Sequence, residues 1–222
     1  MSTKLEVIEL ESGKKPTASI IVLHGLGADG TDFVPIAQEF RLDPIGEVRY
    51  VFPHAPVMPV TINGGMSMRA WYDILGTEVE RREDERGLRA SQAMVEALIE
   101  REIERGIEAS RIVLMGFSQG CAMTLMTGLR YGQRLAGLVG LSGYLPLAAV
   151  TEAERHSANH DTPIFLAHGS VDQVIPIARA TASRDALRAL GHAVEWHEYP
   201  MPHSVCAEEI TDLNRWLLKT LA

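Results

Sequence analysis

Apolar positions along the chain follow two rhythms. Short runs rich in β-branched residues, at 18–24, 48–52, 111–117, 135–142 and 163–168, read as buried strands. Runs 4–10 and 193–199 alternate apolar with polar positions, as half-exposed strands do. Between them the period lengthens to that of a helix. Residues 85–105 put Leu88, Met94, Val95, Leu98 and Ile99 on one stripe and charges elsewhere, and 32–40, 119–131, 177–190 and 205–221 complete the set. Leu190-Gly191 marks a helix end, with glycine as the left-handed cap. Strands alternating with helices, with crossovers long enough for right-handed βαβ units, predict a single mostly parallel sheet with helices on both faces. With no repeat and no low-complexity linker, residues 1–222 are expected to form one domain.

Segment 53–71 departs from both rhythms. It carries Pro53, Pro56, Pro59 and Asn63-Gly64-Gly65, with Met58, Met66, Met68 and Trp71 interleaved. It reads as a long loop whose apolar and aromatic content points to function rather than disorder.

Composition narrows the classes. Apolar residues make up 46% of the 222 and charged residues 23%, the proportions of a soluble globular protein. No run of 18 apolar residues is free of charge, so no membrane span is expected. The first ten residues carry Lys4, Glu6 and Glu9 and do not read as a signal peptide. A formal charge of −8, from 21 basic and 29 acidic residues, argues against a nucleic-acid partner. The pair Arg81-Arg82 sits among Glu78, Glu80, Glu83, Asp84 and Glu85 and reads as a solvated helix face. Cys121 and Cys206 lie in no CxxC or zinc-ligand spacing, so two buried, reduced thiols and a cytoplasmic location are expected. His156 and His160 are spaced i, i+4, but no acidic third ligand accompanies them and no metal site is expected.

The chemistry gathers around Gly116-Phe117-Ser118-Gln119-Gly120. As a string GxSxG is weak; its setting, directly after an apolar strand and directly before a helix, is that of a nucleophile elbow. Such a turn exposes the serine hydroxyl, needs small neighbours, and brings unpaired N–H groups of the helix start beside it. A serine needs a base, and the base an orienting acid, in the chain order Ser, Asp or Glu, His on loops after later strands. Asp172 follows the strand at 163–168 and His203 follows the strand at 193–199. Parallel strands bring these loops to one sheet edge. Asp161 precedes its strand, Asp185 falls within a helix, and His168, at a strand end, competes with the more outlying loop residues. The oxyanion hole is expected from the N–H of Gln119 and of Leu26, the latter in His24-Gly25-Leu26-Gly27-Ala28-Asp29-Gly30 after the strand at 18–24. That loop contains neither GxxxxGK[ST] nor GxGxxG, so a phosphate cradle is not expected.

These motifs, with Phe52-Pro53-His54-Ala55-Pro56, Met68-Arg69-Ala70-Trp71-Tyr72-Asp73-Ile74, His168-Gly169-Ser170-Val171-Asp172 and Pro202-His203-Ser204, occur in order along nearly the whole chain. The set resembles the small bacterial carboxylesterases of the phospholipase/carboxylesterase family, which includes the acyl-protein thioesterases. The resemblance implies an α/β-hydrolase fold without a large cap domain. It implies Ser118, Asp172 and His203 as the triad, Leu26 and Gln119 as oxyanion donors, and no cofactor. It also implies action on short- to medium-chain acyl esters, with lysophospholipids and acyl thioesters as further substrates, and association as dimers. In the family the 53–71 segment lies over an apolar acyl groove, which makes Met66, Met68, Trp71, Tyr72 and Leu75 the expected groove or lid residues. One departure is Met201-Pro202, where a glycine is common beside the histidine.

Overall fold

The computed structural model describes residues 5–76 and 81–222. In chain order its elements are β1 (Val7–Glu11), β2 (Ala18–Leu23), α1 (Val34–Glu39), β3 (Val48–Pro53), β4 (Val57–Val60), β5 (Met66–Arg69), β6 (Ile74–Gly76), β7 (Arg81–Glu83), α2 (Glu85–Glu104), β8 (Ile112–Phe117), α3 (Gln119–Arg130), β9 (Gly137–Leu141), α4 (Ala148–Glu154), β10 (Ile164–Gly169), α5 (Ile177–Ala189), β11 (Val194–Tyr199) and α6 (Ala207–Thr220).

Seven strands form one sheet in the order β1-β3-β2-β8-β9-β10-β11. Only β1 runs antiparallel to its neighbour, and its pattern is half-exposed, as its alternation predicted. The continuous apolar runs are continuous because both faces are covered: every residue of β2 and of β3 is buried. Successive residues feed opposite cores. Ile21, Leu23, Leu114 and Leu138 pack with α2 and α3 on one face. Ile20, Val22, Val113 and Val139 pack with Phe33, Leu213, Trp216 and Leu217 from the α1 and α6 side.

Four expectations need correction. Segment 53–71 is not simply a loop: it folds back as an antiparallel hairpin, β4 with β5, pairing Met58 with Met68 and Val60 with Met66. Arg81 and Arg82 stand in β7, paired with β6, and not on a helix face; Glu78 and Glu80 lie outside the described residues. Helix α4 gave no signal because only Thr151 of its seven residues is buried, so it has no apolar stripe. Cys206 is half-buried at the N-cap of α6, whereas Cys121 is buried as expected. The His156–His160 stretch is a 3-10 turn, Ser157–Asn159, with His156 Nδ1 accepting from the Ala158 N–H, so the helical spacing that would aim both rings one way is absent. Among the described residues no cluster of three metal-ligating side chains occurs, and no helix is long and apolar enough to cross a membrane.

Candidate active site

The turn from β8 into α3 is as tight as its glycines imply. Ser118 takes φ 57° and ψ −116°, in the sparsely populated region that a nucleophile elbow requires. A Cβ on Gly116 would lie 2.1 Å from the Gly120 carbonyl oxygen, and one on Gly120 would lie 1.9 Å from that of Leu23. The absence of both side chains lets α3 start against the ends of β2 and β8. Cys121 lies beneath the elbow, and burial pushes its thiol up to about 12, so it is inert at neutral pH.

Asp172 sits in the loop after β10 with its carboxylate fully buried. Oδ1 accepts from the N–H groups of Val174 (2.8 Å) and Ile175 (2.9 Å), and Oδ2 faces His203 Nδ1 at 2.7 Å. The carboxylate only accepts, so His203 carries its proton on Nδ1 and leaves the Nε2 lone pair free. The loop after β11 that holds His203 is wound tightly. Met201 N–H donates to Tyr199 O, and Ser204 N–H donates to Pro202 O, with His203 at the centre of that turn. Pro202, the departure noted in the sequence, fits this stiffness. His203 also packs on Phe117, ring centroids 4.8 Å apart. Ser118 and His203 share the walls of one cavity, with no direct hydrogen bond between them in this conformation. Such bonds often tighten only when substrate binds.

His168 approaches Asp172 from behind. Its Nε2 is 2.8 Å from the Ile175 carbonyl oxygen and 3.3 Å from Asp172 Oδ2, and the ring is wholly buried. Burial holds its pKa below the usual histidine value, so it is a neutral donor in the interior and not a group facing the cavity.

The loop after β2 is fixed by His24. Its Nδ1 donates to the Gly25 carbonyl (2.7 Å), and its Nε2 accepts from Ala55 N–H (3.0 Å). Trp71 Nε1 donates to the His24 carbonyl (2.9 Å), and Gly27 N–H donates to Arg69 O. The Gln119 side chain is locked likewise: Nε2 donates to Tyr72 O, and Oε1 accepts from Trp71 N–H. Among the described residues, the backbone N–H groups of Leu26 and Gln119 have no protein acceptor. Leu26 and Gln119 both line the cavity with Ser118.

The five expected groove positions separate. Tyr72 lines the cavity, with its hydroxyl 2.8 Å from that of Tyr144. Trp71 does not: it is core, its ring against His24 and its N–H spent on the loop. Met66 projects outward, 65% exposed. Met68 is half-buried in the hairpin and accepts from Asn63 Nδ2 through its sulfur. Leu75 is half-buried opposite Arg82. The rest of the wall is built by apolar Ile62, Ile74, Tyr144, Val174 and Ile175 and by polar Asn63, Asp73, Arg82, Glu83 and Arg179, around about 320 Å³. The topology carried a signal for three of these. Tyr144 follows β9, and Val174 and Ile175 follow β10, all at the sheet edge that holds Ser118. A second, more open cavity of about 400 Å³, lined by Gly25, Ala28, Phe33, Ile36, Phe117 and Val205, meets the first at Leu26, Ser118 and His203.

Comparison with known proteins agrees with this architecture. The model of the phospholipase/carboxylesterase family matches residues 4–221. Acyl-protein thioesterase 1 of Yarrowia lipolytica is 42% identical over 206 residues, which cover 90% of this chain and 91% of that protein. The acyl-protein thioesterase 1 of Neurospora crassa is 41% identical, covering 92% and 87%. Among solved structures, Arabidopsis thaliana SOBER1 superposes with a TM-score of 0.87 at 31% identity over 92% of this chain and 99% of that one. Zea mays acyl-protein thioesterase 2 gives 0.84 at 28% identity, covering 98% and 99%. By family match and by fold, the chain belongs to the phospholipase/carboxylesterase family of α/β-hydrolases and is a hydrolase acting on esters.

Proposed function

We propose that the protein is a serine carboxylesterase of short- to medium-chain acyl esters, working as one domain in the cytoplasm. Ser118 is the nucleophile, His203 the base and Asp172 the orienting acid. The observation that carries the reading is the buried Asp172 carboxylate, 2.7 Å from His203 Nδ1, on a histidine that shares its cavity with a strained elbow serine.

His203 Nε2 takes the Ser118 proton as Oγ attacks the acyl carbon. The charge moves to the carbonyl oxygen, where the Leu26 and Gln119 N–H groups receive it, each contributing about 3 to 4 kcal/mol to the transition state. The imidazolium then protonates the leaving oxygen and the C–O bond breaks, leaving an acyl-enzyme. Water, giving its proton to the same nitrogen, attacks the acyl carbon; the bond to Ser118 Oγ then breaks, Oγ takes that proton from His203, and the acid leaves. Asp172 holds the tautomer and stabilises the imidazolium throughout. No cofactor enters the sequence of steps.

Labelling with a fluorophosphonate tests this. Wild type is expected to label and to hydrolyse a 4-nitrophenyl ester, and Ser118→Ala to do neither; a labelled, active Ser118→Ala would overturn the assignment. A second reading, favoured by the two acyl-protein thioesterases at 41% and 42% identity, moves the substrate to acyl thioesters on the same residues. The ratio of kcat/KM on matched oxygen and sulfur esters decides between them.

A further inference from the structure

Arg179 is one of two cations on the cavity wall, with the exposed Arg82, and neither the triad nor the core explains it. It stands in the first turn of α5, on the wall that also holds Ser118, Gln119 and His203. Its guanidinium lies 3.4 Å from the centroid of the Tyr144 ring, and that stacking fixes its position. Other arginines are tied down elsewhere: Arg49, Arg105 and Arg130 to carboxylates, Arg69 and Arg155 to backbone carbonyls. Among the described residues Arg179 has no carboxylate within ion-pair distance and no carbonyl acceptor. Two acids share the wall, and neither lies within ion-pair distance of Arg179. Asp73 accepts from Thr61 N–H and hydroxyl, and Glu83 accepts with both oxygens from Leu147 N–H. A planar, permanently charged donor fork, held on an aromatic ring and without an ion pair among the described residues, suits a carboxylate supplied by a ligand.

The second cavity indicates which part of the substrate carries that anion. The two cavities meet at Ser118 and His203, so one takes the acyl chain and the other the leaving group. The leaving group must depart before water enters, which suits the more open cavity, the one lined by Phe33, Ile36 and Val205. The acyl chain then occupies the cavity in which Ile62, Ile74, Val174 and Ile175 supply the apolar part of the wall and Arg179 stands. Resting on the esterase reading above, we propose that Arg179 is a specificity-determining residue that binds a carboxylate at the far end of the acyl chain, making half-esters of dicarboxylic acids a preferred substrate class.

The test uses a matched pair, the 4-nitrophenyl esters of pentanoic acid and of glutaric acid, which differ in a terminal methyl against a terminal carboxylate. The readout is the ratio of their kcat/KM values. Arg179→Gln is expected to lower the glutarate-to-pentanoate ratio on the order of 10- to 100-fold, the value of a charge-assisted hydrogen bond, and Arg179→Lys to restore part of it. A structural role would lower both rates together and leave the ratio unchanged, which would overturn the proposal. A third ester, 4-carboxyphenyl pentanoate, puts the anion on the leaving group; a ratio that changes there and not for glutarate would overturn the acyl-side assignment. Wild type inactive on all three and unlabelled by fluorophosphonate would overturn the esterase reading and this proposal with it. Wild-type activity with an unchanged ratio would overturn this proposal alone.

Discussion

In the proposed mechanism the chemistry turns, at the residue scale, on one proton position. Asp172 receives three N–H groups, two from the backbone at Oδ1 and one from His203 at Oδ2. Replacing it with asparagine keeps the shape and changes one oxygen for an NH2 donor. The two backbone donors at Oδ1 require the amide oxygen there, so the NH2 faces His203 Nδ1. The histidine must then carry its proton on Nε2, the nitrogen that has to accept the serine's. Asp172→Asn is therefore expected to lower kcat/KM on the order of 10⁴-fold, the cost of the wrong tautomer in Ser-His-Asp catalysis. Circular dichroism should show the fold retained; activity within tenfold of wild type would remove Asp172 from its role. The meeting of Ser118, Asp172 and His203 at one sheet edge was legible because topology, not local composition, dictates where they fall: each sits just past the end of a parallel strand. The groove residues were not, because an apolar side chain in 66–75 serves equally as wall, core or surface. Trp71 went to the core since its indole N–H closes the otherwise unpaired His24 carbonyl.

Among the elements, those buried on both faces announced themselves and those held by distant contacts did not. Strands β2, β3 and β8 to β10 are mostly apolar and almost wholly buried because helices cover both faces, and the charged exception, Arg49 in β3, is buried against Glu102. The β4–β5 hairpin contains Pro59 and is mostly exposed or half-exposed. It is fixed by bonds to other parts of the chain, Arg69 Nη1 to Ala55 O and Gly27 N–H to Arg69 O, which no local pattern encodes. The elbow is the opposite case, where two glycines in the sequence report a packing constraint directly. A methyl group at Gly120 would meet Leu23 O at 1.9 Å and Leu23 C at 2.5 Å, both backbone atoms of the strand that leads into the Leu26 loop. Neither β2 nor α3 can yield without moving that loop. Gly120→Ala is expected to cost at least about 3 kcal/mol in urea unfolding and to reduce esterase activity further than the loss of folded protein explains. A variant of wild-type stability would mean that the strand–helix contact is looser than the structure has it.

For the molecule as a whole, stability against pH is set by buried groups of two kinds. His24, His168 and His192 are buried, and burial holds each below the usual histidine pKa. The unfolded chain protonates them below about pH 6.5 and the native chain does not, so their stabilisation is complete above that value and falls as pH drops. Glu209 acts in the reverse direction. It lies in the first turn of α6, fully buried, with neither carboxylate oxygen hydrogen-bonded, and burial pushes its pKa up to about 8. Its native pKa is the higher one, so its stabilisation is complete below the unfolded value of 4.5 and is lost as pH rises through about 8. The lowered carboxyls, Glu9, Glu154 and Asp212 among them, exchange protons below about pH 5, and Cys121 and Cys206 above about pH 8.5. Between pH 6.5 and 8 Glu209 lowers stability while the last protons leave the three histidines of the unfolded chain and raise it. The Glu209 part is the difference from Glu209→Gln, which keeps the shape and cannot ionise: wild type should lose about 1.5 kcal/mol relative to the variant across that window. The variant's own profile should rise slightly there, and it should exceed wild-type stability above pH 8. Urea unfolding of both proteins at half-unit steps from pH 6 to 9 reads the difference directly, and parallel profiles would show that the Glu209 carboxyl does not hold its proton in the native state.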